Sequence, residues 1–135
     1  MSELVVHLDD HGVHVDDVIA VARGNARVEL TPNALAGVAA TRERIEVLAA
    51  SAEPKYGIST GFGALATRHI SPELRTQLQR SLIRSHAAGM GAPVEREVVR
   101  ALVFLRLKTL ASGRTGVRPV VVETMAAMLN AGITP

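Results

Sequence analysis

Proline marks where most of the helices in this chain begin. Thr31-Pro32 and Ser71-Pro72 each pair an N-cap residue with a proline at the first helical position, and an apolar run at helical spacing follows. Two further prolines precede runs of the same kind. We therefore predict four helices, beginning at Pro32, Pro72, Pro93 and Pro119 and ending near Ala52, Gly89, Gly113 and Asn130.

The composition supports a mainly helical fold. Hydrophobic residues make up 47% of the 135 residues but aromatic residues only 2%, so Ala, Leu, Val and Ile must form the core. Ala and Leu favour helices. Before the first proline, Val15 to Ala22 is predicted as a short helix, and Glu3–Leu8 and Ala26–Leu30 show the weak alternation of two short paired strands. The predicted fold class is mainly α, with a possible two-stranded β element near the N-terminus, in a single region 1–135.

The helix predicted after Pro93 carries apolar residues on two faces. One stripe consists of Val98, Leu102 and Leu105, and the other of Val99, Val103, Leu107 and Leu110. A helix that is apolar over most of its circumference is expected to be buried on all sides, and a chain this short leaves much of its surface in water. We therefore expect the front part of a larger helical protein. The alternative is a self-contained helical domain.

Several functional classes are disfavoured by what the chain lacks. It has no cysteine, which excludes a disulfide scaffold and a thiolate nucleophile and fits a cytoplasmic location. Residues 68–118 carry ten basic and three acidic residues, but Phe104 is the only aromatic residue among them, too few for base stacking along a strand, so we expect no nucleic-acid partner. No stretch is long and apolar enough for a membrane span. The His and Asp residues between His7 and Asp17 are interpreted as solvated turn residues rather than as metal ligands, because Gly12 interrupts any helix that would align them.

The only tyrosine lies in a glycine-rich segment. Residues 56–63 read Y-G-I-S-T-G-F-G and fall between two predicted helices. Ser-Thr-Gly sequences build no core, so a phenol on such a mobile, polar loop suggests chemistry rather than packing. A plain glycine-rich turn is the alternative.

A second candidate is His86, near the end of the helix that begins at Pro72. It follows Leu82 by four residues and therefore lies on the flank of that helix's apolar stripe. A hydrogen-bonded, half-buried histidine is the structural interpretation. An imidazole that faced one cavity together with the phenol of Tyr56 would instead suit proton transfer or the recognition of a polar ring.

Four segments, in order, resemble motifs of the ammonia-lyase family that includes the histidine and phenylalanine ammonia-lyases. They are residues 56–63, residues 78–91 (LQRSLIRSHAAGMG), residues 106–119 (RLKTLASGRTGVRP) and residues 129–135 (LNAGITP). The resemblance covers nearly the whole chain from about Ala20.

The resemblance implies a mostly helical homotetramer that eliminates ammonia from an aromatic amino acid, with histidine favoured as substrate and urocanate as product. It implies that Tyr56 is the catalytic acid/base near the β-carbon of the substrate, and that Ser85 and His86 bind the substrate ring. The loop residues that it assigns to a closing lid are Thr60, Gly61, Phe62 and Gly63. The implied cofactor is a 4-methylidene-imidazole-5-one, formed from an internal Ala-Ser-Gly or Cys-Ser-Gly segment, with no metal.

An Ala-Ser-Gly sequence is present at residues 111–113, but it lies inside the third motif rather than after the following helix. The resemblance therefore implies that the cofactor-forming segment lies shortly beyond Pro135 and that the C-terminal helical bundle is absent as well, and we expect the chain alone to be inactive. The alternatives are a tyrosine or phenylalanine ammonia-lyase, an aminomutase, and a non-catalytic truncated helical module.

Overall fold

The computed structural model describes residues 4–135 and consists of two compact units. Unit 1 comprises the described residues up to Arg44 together with Pro93–Pro135, and unit 2 comprises Ile45–Ala92. The elements in chain order are β1 (Val5–Leu8), α1 (Val15–Ala22), β2 (Arg27–Leu30), α2 (Pro32–Ala50), a short 3-10 helix (Gly63–Leu65), α3 (Pro72–His86), α4 (Arg96–Ala111) and α5 (Pro119–Asn130). The mainly helical class is confirmed, and in residues 4–135 no helix has the length and apolar character needed to cross a bilayer.

The two predicted strands pair with each other in unit 1. β1 and β2 are parallel, with Val6 opposite Val28 and Leu8 opposite Leu30, and α1 forms the crossover between them. Of the strand predicted from Glu3 to Leu8, Glu3 lies outside the described residues, which begin at Leu4. The side-chain amide of Asn130, at the end of α5, extends the pairing: it accepts a hydrogen bond from the N–H of Val28 (2.8 Å) and donates one to the carbonyl of the same residue (2.9 Å).

Apolar residues from every element of unit 1 meet in one core. The fully buried members with the largest side chains are Leu8, Val21, Val28, Val38, Phe104, Leu107, Val122 and Leu129. The side chain of Thr31 caps α2 by accepting from the N–H of Ala34 (3.1 Å), as its sequence position predicts. α5 begins and ends at the predicted residues.

Arg100 is buried within this core, with 1% of its surface exposed. Its Nε donates to the carbonyl of Val21 (3.0 Å) and its Nη1 to the carbonyl of Leu129 (2.9 Å). These carbonyls belong to the last turns of α1 and α5, where the final C=O groups of a helix have no partner within it and a cation is favoured by the helix dipole. One guanidinium on α4 therefore caps the C-terminal carbonyls of two other helices.

One expectation about α4, its first residue, was wrong. The helix begins at Arg96 rather than at Pro93, because the carbonyl of Glu95 accepts the first helical hydrogen bonds, from the N–H groups of Val98 and Val99. Burial on all sides, which we expect in a larger protein, is not reached within residues 4–135. The stripe of Val98, Leu102 and Leu105 is 44–65% exposed, because the elements of unit 1 cover only the opposite face.

Unit 2 has no buried apolar side chain. α3 begins at the predicted proline, Pro72, but ends at His86, before the predicted glycine, and none of its residues is buried. The buried residues of unit 2 are Ser59, Thr60 and Gly61, all in the segment that connects α2 with α3. Polar contacts rather than an apolar core therefore give this unit its local structure.

Replacing Arg100 by Met should destabilise unit 1 by about 2–4 kcal/mol, because two carbonyls lose charge-assisted hydrogen bonds in the interior. Denaturant unfolding followed by circular dichroism measures this change. Arg96→Met is the matched control: its guanidinium bonds to Asn25 at an exposed position (2.9 Å), so its loss should cost less than about 1 kcal/mol. Equal effects of the two substitutions would contradict the role given to Arg100.

Candidate active site: the Tyr56 loop and the end of α3

Tyr56 lies in the connection between α2 and α3, with 66% of its surface exposed. Its ring meets that of Phe62 edge to face, with the ring centres 6.0 Å apart and the planes at 79°. Such a pair is stabilising beyond the area that it buries. Among the described residues, none forms a hydrogen bond with the phenolic hydroxyl.

The segment after Tyr56 is more ordered than its sequence predicts. Ser59 and Thr60 are 0% and 3% exposed, although Ser-Thr-Gly was expected to form a mobile, polar loop. Backbone bonds explain the difference: the N–H of Ile70 donates to the carbonyl of Ser59 (2.9 Å), and the N–H of Gly61 donates to that of Arg68 (3.2 Å). The segment thus doubles back on itself as a short antiparallel bridge.

Two glycines are required for this course of the chain. Gly57 has a φ of +70°, and a methyl group added there would lie 3.2 Å from the ring of Phe62. At Gly61 an added methyl would lie 2.6 Å from the side chain of Leu65. The glycines expected to let a lid move therefore allow close packing of the loop in this structure.

His86 is the last residue of α3 and is exposed. Its Nδ1 lies 2.9 Å from the carbonyl of Leu82, and the hydroxyl of Ser85 donates to the same carbonyl (2.9 Å). Nδ1 also lies 3.0 Å from the hydroxyl of Ser85, and in the tautomer that donates from Nδ1 to the carbonyl, Nε2 is left as an acceptor. The hydrogen bonds of the last helical turn thus orient the imidazole.

Tyr56 and His86 both belong to unit 2, but neither is bonded to the other among the described contacts. A single cavity lined by the phenol and the imidazole stays a prediction. The cleft of about 710 Å³ in unit 2 is lined by other residues, among them Glu46, His69 and Arg75.

Arg75 organises the surroundings of the loop and was not singled out from the sequence. Its Nη1 donates to the carbonyl of Ala49 at the end of α2 (2.8 Å), and its Nε donates to the carbonyl of Ile70 (3.3 Å). Beside the tyrosine, Lys55 bonds to the carboxylate of Glu53, and this bond and the attraction of the charges hold the pKa of Glu53 below its ordinary value. The sequence did offer one signal for Arg75: it lies in the first turn of α3, where the helix dipole disfavours a cation.

The segment Ala111-Ser112-Gly113 does not fit a cofactor precursor. It forms the end of α4: its serine hydroxyl donates to the carbonyl of Thr109 (2.7 Å), and its glycine N–H donates to that of Leu110 (3.3 Å). Cyclisation would require this glycine nitrogen to attack the alanine carbonyl. A methyl group added at the glycine would lie 2.8 Å from the backbone of Gly37, so the turn has little room to rearrange.

Acidic and histidine side chains of the N-terminal segment contact neighbouring residues: Asp9 bonds to Asn33, and His11 lies 3.4 Å from the carboxylate of Asp10. Asp9 accepts from the side chain of Asn33 (3.0 Å), and this bond, followed by that from the N–H of Asp10, lowers the pKa of Asp9. In the part of the chain that the structure describes, no group of three or more His, Asp or Glu side chains is placed to hold a metal ion.

The chain belongs to the aromatic amino acid lyase family, whose sequence model matches residues 13–135. Among curated relatives, the histidine ammonia-lyase of Streptomyces coelicolor is 68% identical over 124 residues, which are 92% of this chain and 24% of that protein. The histidine ammonia-lyase of Gloeobacter violaceus is 47% identical over 95% of this chain and 25% of its own length. The chain thus spans about a quarter of the length of these relatives.

Solved structures give the same assignment for the fold, which matches the N-terminal part of ammonia-lyase and aminomutase structures. The tyrosine aminomutase of Streptomyces globisporus superposes with a TM-score of 0.92 at 36% identity, over 98% of this chain and 25% of that one. For the histidine ammonia-lyase of Trypanosoma cruzi the TM-score is 0.85 at 32% identity, over 98% and 25%.

The intact mass of the purified 135-residue chain should equal the mass of its unmodified sequence, because the only Ala-Ser-Gly is held in a helix end. Mass spectrometry checks this, with Ser112→Ala as the control that cannot cyclise and dehydrate. A mass deficit equal to the water lost in ring formation, present in the original chain and absent from the variant, would contradict the interpretation.

Proposed function

We propose that this chain supplies the catalytic tyrosine loop and part of the substrate pocket of an enzyme that eliminates ammonia from L-histidine to give urocanate. The observation that carries the proposal is the 68% identity to a histidine ammonia-lyase over 92% of the chain. The same proposal makes the complete protein a cytoplasmic homotetramer active in histidine degradation.

Tyr56 is assigned the role of the base. It takes the proton from the β-carbon of the substrate, the electrons of that C–H bond form the double bond, and the amino group leaves with the electrons of its C–N bond. The exposed hydroxyl, without a bond to its neighbours, and the ring held against Phe62 support this role.

The electrophile of the reaction is assigned to a part of the protein outside the described residues. Members of the family use a methylidene-imidazolone, which activates the amino group as a leaving group. The helix end at residues 111–113 does not fit its formation, so residues 4–135 contribute binding and proton transfer.

His86 is assigned to recognition of the substrate ring, with Ser85 beside it. In the tautomer that donates from Nδ1, Nε2 is an acceptor and suits a ring that donates a hydrogen bond; imidazole and phenol do so, whereas phenyl does not. Histidine and tyrosine therefore fit this position better than phenylalanine does.

Two alternative functions each have one observation in their favour. A tyrosine or phenylalanine ammonia-lyase or an aminomutase is favoured by the TM-score of 0.92 with a tyrosine aminomutase. A non-catalytic helical module that binds intact relatives is favoured by the exposed stripe Val98, Leu102 and Leu105. A substrate panel on a complete enzyme separates the first from our proposal, and sedimentation of the chain with and without a complete relative tests the second.

Tyr56→Phe should lower kcat by about 10²–10⁴-fold, which is the usual contribution of a general base. The measurement uses a hybrid enzyme: the Streptomyces coelicolor relative with its matching 124-residue segment taken from this chain. Urocanate absorbance gives the rate. An unchanged thermal midpoint and unchanged affinity for urocanate serve as controls, and a near-normal kcat in the variant would refute the assignment of the base.

His86→Leu should raise the ratio of kcat/KM for phenylalanine to that for histidine by at least about tenfold, because an apolar side chain removes the acceptor for the ring. The same hybrid enzyme and both substrates are used. His86→Gln, which keeps polar atoms at this position, should retain the preference for histidine. Selectivity that does not change in His86→Leu would count against ring recognition.

A further inference from the structure

We propose that Ser59 and Thr60 are positioning residues for Tyr56, acting through the two backbone N–H groups that flank it. The hydroxyl of Ser59 accepts from the N–H of Lys55 (2.9 Å), and the hydroxyl of Thr60 accepts from the N–H of Gly57 (3.2 Å). The catalytic meaning of this arrangement rests on the proposed function.

The two hydroxyls are the most buried side-chain groups of unit 2, at 0% and 3% exposure for their residues. Both bonds are partly buried, and a hydrogen bond partly shielded from water is stronger than an exposed one, so its loss leaves a partly buried N–H without this partner. We call the two bonds, from Lys55 N–H to the hydroxyl of Ser59 and from Gly57 N–H to that of Thr60, the hydroxyl clamp. It should therefore stabilise the backbone around Tyr56 by more free energy than the bonds of an exposed turn would.

The clamp is itself fixed to the rest of the loop. The N–H of Ser59 donates to the carbonyl of Lys55 (2.9 Å), so the two residues are bonded in both directions. Thr60 bridges to His69, and the N–H of Ile70 donates to the carbonyl of Ser59 (2.9 Å). The hydroxyls thus connect the backbone of Tyr56 to the segment that leads directly into α3.

The same clamp controls the contact between the two aromatic rings. The α-carbon of Gly57 lies against the ring of Phe62, since an added methyl would stand 3.2 Å from its Cε1 atom. Release of the Gly57 N–H would let this peptide turn and would change the edge-to-face packing with Tyr56. A shift of about 1 Å in a reacting group can cost about 100-fold in rate.

The test replaces each hydroxyl in the hybrid enzyme. Thr60→Val removes the hydroxyl at nearly constant shape, Thr60→Ser keeps it, and Ser59→Ala removes the other. Thr109→Val is the matched control, because the hydroxyl of Thr109 bonds within α4 at an exposed position. We expect Thr60→Val and Ser59→Ala to lower kcat roughly 10- to 100-fold with KM within about threefold, and Thr60→Ser and Thr109→Val to stay near the parent.

The kinetic isotope effect with β-deuterated histidine separates positioning from simple stability. A misplaced base makes C–H cleavage more rate-limiting, so the isotope effect on kcat should grow in Thr60→Val and Ser59→Ala. A smaller folded fraction would lower the apparent kcat and leave the isotope effect unchanged, and that result would overturn the proposal. If Thr60→Val fails to assemble, Ser59→Ala and Thr60→Ser decide by the same comparison.

Tyr56→Phe in the same hybrid enzyme distinguishes a failure of the proposed function from a failure of the positioning role alone. A parent-like rate in Tyr56→Phe would show the proposed function to be wrong, and the positioning role would fall with it. A large loss in Tyr56→Phe, together with parent-like kcat and isotope effect in Thr60→Val and Ser59→Ala, would overturn the positioning role alone.

Discussion

The loop that carries Tyr56 depends on hydrogen bonds to two buried hydroxyls, because unit 2 buries no apolar side chain that could hold it. Backbone N–H groups that leave water must find acceptors. Near the tyrosine, the acceptors are the side chains of Ser59 and Thr60. Under the positioning proposal, the direction of the phenol and its contact with Phe62 depend on where these bonds fix the backbone.

Unit 1 uses the same principle within an apolar core. Arg100 closes the carbonyl ends of α1 and α5, and the amide of Asn130 continues the hydrogen bonding of β2. Each polar side chain satisfies main-chain groups where a helix or a strand ends, which is where apolar packing leaves them without partners. In unit 1, therefore, the ends of elements are stabilised by polar side chains, of which Arg100 is buried in the core and Asn130 is exposed.

The sequence predicted the elements better than the contacts between them. Pro72 and Pro119 begin helices as expected, because the fixed φ of proline acts locally. The exposure of Leu102 and the burial of Ser59 were not predicted, since both depend on which distant segments cover them. Of the site, the residue types of Tyr56 and His86 were recognisable, whereas the hydroxyl clamp and Arg75 depend on the path of the backbone, which no local pattern encodes.

The contrast between a polar loop and an apolar core has a thermodynamic consequence. Exposure of apolar surface raises the heat capacity of unfolding, whereas exposure of polar surface lowers it. The core around Phe104 therefore gives unit 1 a stability that curves strongly with temperature. The bonds of Ser59 and Thr60 add little to that curvature, so the free energy that holds the loop around Tyr56 should change more nearly linearly with temperature than the free energy of unfolding of unit 1.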